Sequence, residues 1–201
     1  MVNIAVFVSG GGTNLQALID ACSNNQINGE IKLVISSKAN AYGLTRAKNH
    51  NIKGIFTKDE SVILHELKNE KIDLIVLAGY LSIVSEKLIK EYENKIINIH
   101  PALIPSFCGP GFYGHHVHEA VFERGVKLSG ATVHFVSAVV DGGPIILQEA
   151  IDISLCNSPE EIAELILNNI EHKLLVKAVR LYCENKLEVI NERVLIKWKE
   201  H

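Results

Sequence analysis

Five short apolar runs, the first four each followed by a stretch with helical spacing, occupy the first hundred residues. NIAVFVS (3–9) is nearly continuous in apolar side chains, as a strand covered on both faces must be. NLQALIDAC follows, and its Leu15, Leu18, Ile19 and Cys22 at i, i+3, i+4 and i+7 share one helix face. IKLVISS (31–37) predicts a second strand and 41–49 a helix. GIF (54–56) is a third strand, with a helix near 60–70. DLIVLAG (73–79) is a fourth, with a helix near 85–92, and KIINIH (95–100) a fifth. Such alternation confines the chain to an α/β fold: a mostly parallel central sheet with right-handed crossovers and helices on both faces. Open sheets of this kind place their sites outside the C-terminal ends of the strands. SGGGTN after strand one, GYLSIV after strand four and NIHP at strand five all lie at such ends.

After Pro101 the pattern changes. Residues 101–116 are rich in Gly, Pro and aromatics and read as a long loop, and HHVHEAVFERG as a short helix. KLSGATVHFVS (127–137) and PIILQEAIDIS (144–154) are strand-like and joined by AVVDGG, the antiparallel C-terminal part. A long helix begins at SPEE, with Ser158 as cap, Pro159 in the first turn and Glu161 completing a capping box. Ile162, Leu165, Ile166, Ile170 and Leu174 form its apolar stripe. KLEVINERVLIKW reads as a small edge hairpin. With no internal repeat or linker, residues 1–201 read as a single domain.

Composition excludes several classes. Hydrophobic residues at 47% and charged residues at 21% argue against disorder. A net charge of −3 argues against a general nucleic-acid binder. The N-terminus lacks a basic secretion leader, and no run approaches the length of a membrane span. Cys22, Cys108, Cys156 and Cys183 are scattered without a CxxC pair, so reduced thiols in a cytoplasm are the simpler reading.

In SGGGTNLQ the glycines permit close backbone approach and positive φ. Thr13 and Gln16 form a T-x-x-Q capping box that would start the helix there. The free N–H groups of the first turn and the helix dipole make a phosphate seat. The loop is neither a Walker loop, lacking GK[ST], nor the dinucleotide fingerprint, lacking its third glycine. A tight strand–helix turn without a ligand is the competing reading.

NIHPALIP carries the chemistry. Residues two apart in a strand point to one face, so Asn98 and His100 project together, and Pro101 puts His100 at the sheet's C-terminal rim. A neutral amide donor beside an imidazole suits a reaction that makes an oxyanion and moves a proton, such as acyl transfer. A satisfied structural pair explains them as well. Asp141 in VVDGGP begins a turn whose glycines permit unusual φ. Its carboxylate could orient His100 and favour the protonated ring. A plain turn aspartate is the alternative.

SGGGTNLQALIDAC, LAGYLSIVS, NIHPALIPSFCG and VDGGPIILQ, in this order and spacing, resemble the glycinamide ribonucleotide (phosphoribosylglycinamide) formyltransferase family across nearly the whole chain. The resemblance implies a Rossmann-like formyltransferase fold, with residues 1–100 as the phosphate- and ribonucleotide-binding parallel half and 101–201 as the folate-binding and C-terminal half. It implies direct transfer of the formyl group of 10-formyltetrahydrofolate, as co-substrate, to the amine of glycinamide ribonucleotide in purine synthesis, without a metal. Asn98 would bond the formyl oxygen, His100 stabilise the oxyanion, and Asp141 raise the pKa of His100 and order a water. Gly11, Gly12, Thr13 and Asn14 would hold the phosphate and Glu171 the ribose. Leu81, Ser82, Ile83 and Val84, with Asn98, Ala138, Val139, Val140 and Asp141, would hold the folate. His134 matches a family position near the site, though a core strand histidine explains it too. Members often carry a folate-binding arginine after strand three; FTKDES offers only Lys58. The loop FCGPGFYGHHVH is a few residues longer than in the shortest members. The partners implied are small molecules, with no nucleic acid or membrane, in the cytoplasm; monomer and dimer both stay open.

Other formyl-folate enzymes, methionyl-tRNA formyltransferase and formyltetrahydrofolate hydrolase, share the Asn–His–Asp logic but usually carry a further domain. A Cys–His nucleophile through Cys108 lacks a setting that lowers the thiol pKa. His115, His116 and His118 invite a zinc reading, against which stands one of solvated loop histidines. A non-enzymatic nucleotide-binding module explains the glycine loop alone.

Overall fold

The structure, a computed structural model, describes residues 1–197. Strands β1 (Val2–Val8), β2 (Gly29–Ser36), β3 (Lys53–Phe56), β4 (Leu74–Leu77) and β5 (Ile96–His100) alternate with helices α1 (Thr13–Ser23), α2 (Tyr42–Asn49), α3 (Glu60–Asn69) and α4 (Glu86–Glu91). Helix α5 (His115–Arg124), strands β6 (Leu128–Phe135) and β7 (Ile145–Asp152), and helices α6 (Pro159–Ile166) and α7 (His172–Cys183) follow. The seven strands form one sheet in the order β3-β2-β1-β4-β5-β6-β7. β1 to β5 pair in parallel, while β6 runs antiparallel to both β5 and β7.

Strand β1 explains why its run is apolar throughout. Ile4, Val6 and Val8 pack on one side with Leu15, Leu18 and Ile19 of α1 and with Ile162, Ile166, Leu175 and Val179 of α6 and α7. Ala5 and Phe7 pack on the other with Ile63, Leu64 and Leu67 of α3. Each such fully buried aliphatic side chain contributes about 1.5–3 kcal/mol relative to exposure. From β1 the chain moves outward to β2 and β3 and then crosses back to β4 on the other side of β1, so the winding reverses between β1 and β4. The crevice between them is therefore the switch point of the order, where ligands bind in open α/β sheets. Leu81 N–H, after β4, donates to Ser9 Oγ, after β1, across that crevice (2.8 Å).

Several local expectations are corrected. Gly12, not Thr13, is the N-cap of α1, at φ 69°, and no side-chain cap bond is made. Gly12 adopts the left-handed conformation that a residue with a Cβ resists, so Thr13 is already helical. Gln16 turns away to Asp20 and His50 and accepts from Arg46, so no capping box forms. At α6 Ser158 caps Glu161 N–H as expected, but Glu161 Oε2 reaches back to Asn157 N–H, one residue earlier than a capping box requires. The long helix is interrupted by a π-helical segment, Leu167–Glu171. There the Asn169 side chain donates to the Leu165 carbonyl (2.8 Å), an acceptor that an α-helix satisfies with backbone alone. Of the apolar stripe only Leu165 is half-exposed. The terminal hairpin, β8 (Leu187–Ile190) and β9 (Arg193–Ile196), is a separate two-stranded sheet rather than an edge of the main one. Trp198, the last residue of that expected segment, lies outside the described residues.

Candidate active site

The glycine loop leaves β1 at the switch point. Gly10 and Gly11 have open space where a Cβ would stand, whereas a Cβ on Gly12 would lie 2.8 Å from the Gly43 Cα. Asn14, in the first turn of α1, is buried, and its Nδ2 donates to Glu171 Oε2 (2.8 Å), 157 residues away. Asn14 Oδ1 has no partner among the described residues. Glu171 sits in the π-helical segment at 8% exposure, so it is not a solvated helix glutamate. Burial pushes its carboxyl up, and the Asn14 bond offsets part of that.

The second cluster stands at the end of β5. Asn98 and His100 share a face, as their spacing requires, and β6 adds His134 directly opposite Asn98. His134 Nδ1 lies 2.8 Å from the Phe135 carbonyl, which can only accept, so Nδ1 carries a hydrogen. In the neutral ring Nε2 is then an acceptor, and it receives Asn98 Nδ2–H (3.1 Å). By the same logic His100 Nε2 carries a hydrogen toward the Phe107 carbonyl (2.8 Å). Its other nitrogen, Nδ1, faces Asp141 Oδ2 at 3.6 Å, and His134 Nε2 lies 3.7 Å from Oδ1. Gly109 N–H donates to Asp141 Oδ2 (2.9 Å). One carboxylate thus meets two imidazoles and the loop after β5.

The turn works differently from its sequence reading. Asp141 itself holds positive φ, 54°, while Gly142 and Gly143 do not. Those glycines serve space instead: a Cβ at Gly143 would overlap the Phe135 carbonyl, and one at Gly142 the Val139 side chain. Aspartate tolerates the left-handed region better than most residues.

At His100 the pull of Asp141 acts in the expected direction, upward, but it is not the largest influence. Burial holds its pKa below the ordinary histidine range, and this outweighs the opposing pull of Asp141 and of the Phe107 carbonyl. His100 is only 4% exposed, so desolvation of the imidazolium wins. For Asp141, burial pushes the carboxyl up, but His134, the Gly109 N–H and the nearby imidazoles together hold it below its usual value. The chemical result is a neutral imidazole beside a stable carboxylate, ready to gain a proton at Nδ1.

Around the site, Leu81, Ile83, Val139 and Val140 are exposed apolar side chains on the loops after β4 and before Asp141, and Ala138 is exposed with them. Ser82 and Val84 are half-buried, and Lys58 is exposed. The Cys108 thiol, bonded to the Pro105 carbonyl, is pushed up by burial and by Asp141, which suits no nucleophile. His115 and His116 meet Glu160 and Glu119 at the surface. His118, against the solvated reading, is buried, and burial with the neighbouring His115 and His100 pushes its pKa down to about 4. Among the described residues no three His, Cys, Asp or Glu side chains are placed to hold a metal ion. Nor is any helix among them long and apolar enough to cross a membrane. Sequence reasoning assigned no pairing to His134 with Asn98, because only the β5–β6 register creates it.

A formyl transferase family profile matches residues 2–179. The chain is 37% identical over 207 residues to the chloroplastic phosphoribosylglycinamide formyltransferase of Arabidopsis thaliana, covering 98% of this chain and 68% of that protein. It is 38% identical to the trifunctional purine biosynthetic protein adenosine-3 of Gallus gallus, of which it spans 20%. The crystal structure of glycinamide ribonucleotide transformylase 1 from Symbiobacterium toebii superposes with a TM-score of 0.90 at 37% identity, covering 98% of this chain and 94% of that one.

Proposed function

The chain belongs to the formyl transferase family, and on that premise we propose that its site moves the formyl group of 10-formyltetrahydrofolate onto the amine of glycinamide ribonucleotide. The activity is one-carbon group transfer in purine biosynthesis. The observation that carries the site assignment is the meeting of Asn98, His134, Asp141 and His100 within hydrogen-bond or ion-pair range at the end of β5.

The amine nitrogen attacks the formyl carbon, and a tetrahedral oxyanion forms. Asn98 has two N–H donors; His134 occupies one and leaves the other for that oxygen. The proton released by the attacking amine passes to His100 Nδ1, where Asp141 holds it before it moves on, and the resulting positive field falls on the oxyanion. Collapse breaks the bond from carbon to the folate nitrogen. That nitrogen takes up the proton the amine gives away, with Asp141 and an ordered water as relay. No covalent enzyme intermediate is needed, and holding both substrates together supplies much of the rate.

The phosphate lies on the N–H groups of Gly11, Gly12, Thr13 and Asn14 at the start of α1. Glu171, tethered to Asn14, takes the ribose hydroxyls. The uncovered apolar side chains at Leu81, Ile83, Val139 and Val140 suit the flat pterin, with Ser82, Val84, Ala138 and Asp141 beside it. Lys58 is the cation offered to the folate's acidic tail. The four cysteines are free, which suits a reducing cytoplasm.

The test is spectroscopic. Protein mixed with 10-formyltetrahydrofolate and glycinamide ribonucleotide should release deformylated folate in equal amount to formylated product. Release of deformylated folate without the ribonucleotide would point to a hydrolase and sink the assignment of acceptor.

A further inference from the structure

The positively charged side chain bonded to the glycine loop comes from neither β1 nor α1. Arg46, in the last turn of α2, donates from Nε to the Gly11 carbonyl (2.8 Å) and from Nη1 to Gln16 Oε1 (3.1 Å). Its guanidinium stands 5.1 Å over the Tyr42 ring. At the other end of the same helix Gly43 N–H donates to the Gly10 carbonyl (3.1 Å). Two successive carbonyls of the loop are therefore drawn toward α2.

Peptide planarity turns this clamp into a directional device. In a trans peptide the carbonyl and the next residue's N–H point in opposite directions. With the Gly10 and Gly11 carbonyls tied to α2, the N–H groups of Gly11 and Gly12 face away from it. Among the described residues, the N–H groups of Gly11, Gly12, Thr13 and Asn14 have no acceptor. Four unsatisfied donors in sequence at a helix start form an anion-binding concavity. The clamp is also tightly packed. A Cβ on Gly12 would lie 2.8 Å from Gly43 Cα and 3.5 Å from Arg46 Cδ, and one on Gly43 would lie 2.8 Å from Val8 Cγ2.

Charge points the same way. Residues 9–14 contain no basic side chain, and the side chain bonded to Asn14 is a carboxyl. A dianionic phosphate arriving there needs countercharge beyond the helix dipole.

We propose that Arg46 is a positioning residue that sets the preference for a phosphorylated acceptor over its dephosphorylated form, by aiming the loop donors outward and placing a positive charge behind them. The proposal rests on reading the glycine loop as the ribonucleotide phosphate seat. Arg46→Met keeps much of the stem but removes fork and charge, and Arg46→Lys keeps the charge without the fork. For wild type and both variants, kcat and KM are measured with glycinamide ribonucleotide and with glycinamide riboside, at saturating 10-formyltetrahydrofolate.

Loss of a charge-assisted clamp should lower kcat/KM for the ribonucleotide about 10- to 100-fold in Arg46→Met, through KM rather than kcat. The riboside should lose far less, so the ratio of the two substrates collapses, and Arg46→Lys should recover part of it. A ratio unchanged in Arg46→Met, because neither substrate is affected or because both fall together, overturns the proposal while leaving the seat intact. A wild-type ratio near one overturns the phosphate seat itself, and the proposal with it.

Discussion

Replacing Asp141 by Asn separates the charge of that side chain from its place in the turn. Asp141 has φ 54°, a conformation that Asn tolerates and Ala resists. The amide oxygen can still accept the Gly109 N–H, a bond now made by Oδ2 at 2.9 Å. What disappears is a full negative charge 3.6 Å from His100 Nδ1. At an effective dielectric of about 20, a unit pair at that separation attracts by about 4–5 kcal/mol. If the transition state felt all of it, turnover would fall about 10³-fold, at about 1.4 kcal/mol per factor of ten. The imidazole is only partly charged during transfer and the amide dipole remains, so a fall of about 10²-fold is expected, within the range for losing one stabilising group. The readouts are kcat at saturation in both substrates, ribonucleotide affinity by calorimetry, and the His100 titration by NMR. Affinity should be unchanged. Burial already holds His100 low, and Asp141 opposes that, so its pKa should move lower still in the variant. A kcat close to wild type in a folded variant, or a His100 that titrates higher, would refute the reasoning.

Other expectations follow from buried groups and from the loop. Burial raises the Glu171 carboxyl, so folding disfavours its charged form and stability is lost as pH rises above the unfolded carboxylate value; Glu171→Gln should raise or preserve the thermal midpoint while raising KM for the ribonucleotide. A lowered midpoint with unchanged KM would make Glu171 structural only. His118 is depressed from 6.5 to about 4, so its stabilisation is complete above the unfolded value and is lost as pH falls through that window. Urea unfolding at pH 7 and pH 5 should show a decline that His118→Phe reduces by about 2 kcal/mol; an equal decline in both proteins would contradict this. Gly11→Ala, with open space at its Cβ, should weaken ribonucleotide binding without shifting thermal stability. Gly12→Val instead combines positive φ with a clash on Gly43 and should destabilise by at least about 1–3 kcal/mol, so it reports folding before binding. Unchanged affinity in Gly11→Ala would count against the seat.

The order of elements was legible because burial on both faces leaves a continuous apolar trace, as in NIAVFVS and DLIVLAG, and because helix faces repeat at 3.6 residues. The placement of Asn98 and His100 on one face was legible for the same reason, since strand period is a local property. Cap chemistry was less so. TNLQ has the letters of a capping box, yet the backbone at Gly12 decides where α1 starts. In VVDGGP the residue with positive φ is Asp141, and its glycines answer to the Phe135 carbonyl and the Val139 side chain, which no local pattern reveals.

Sequence alone therefore determined the alternating architecture, the position of three suspect loops at strand ends, and the shared face of Asn98 and His100, since all of these are encoded by spacing along the chain. Tertiary structure decided the partners: Asn98 with His134 across 36 residues, Asn14 with Glu171 across 157, Arg46 on the Gly11 carbonyl, and one carboxylate between two imidazoles. It also decided which force wins at His100, because desolvation depends on how deeply neighbouring strands and loops bury a group, and that depth exists only once the chain has closed around it.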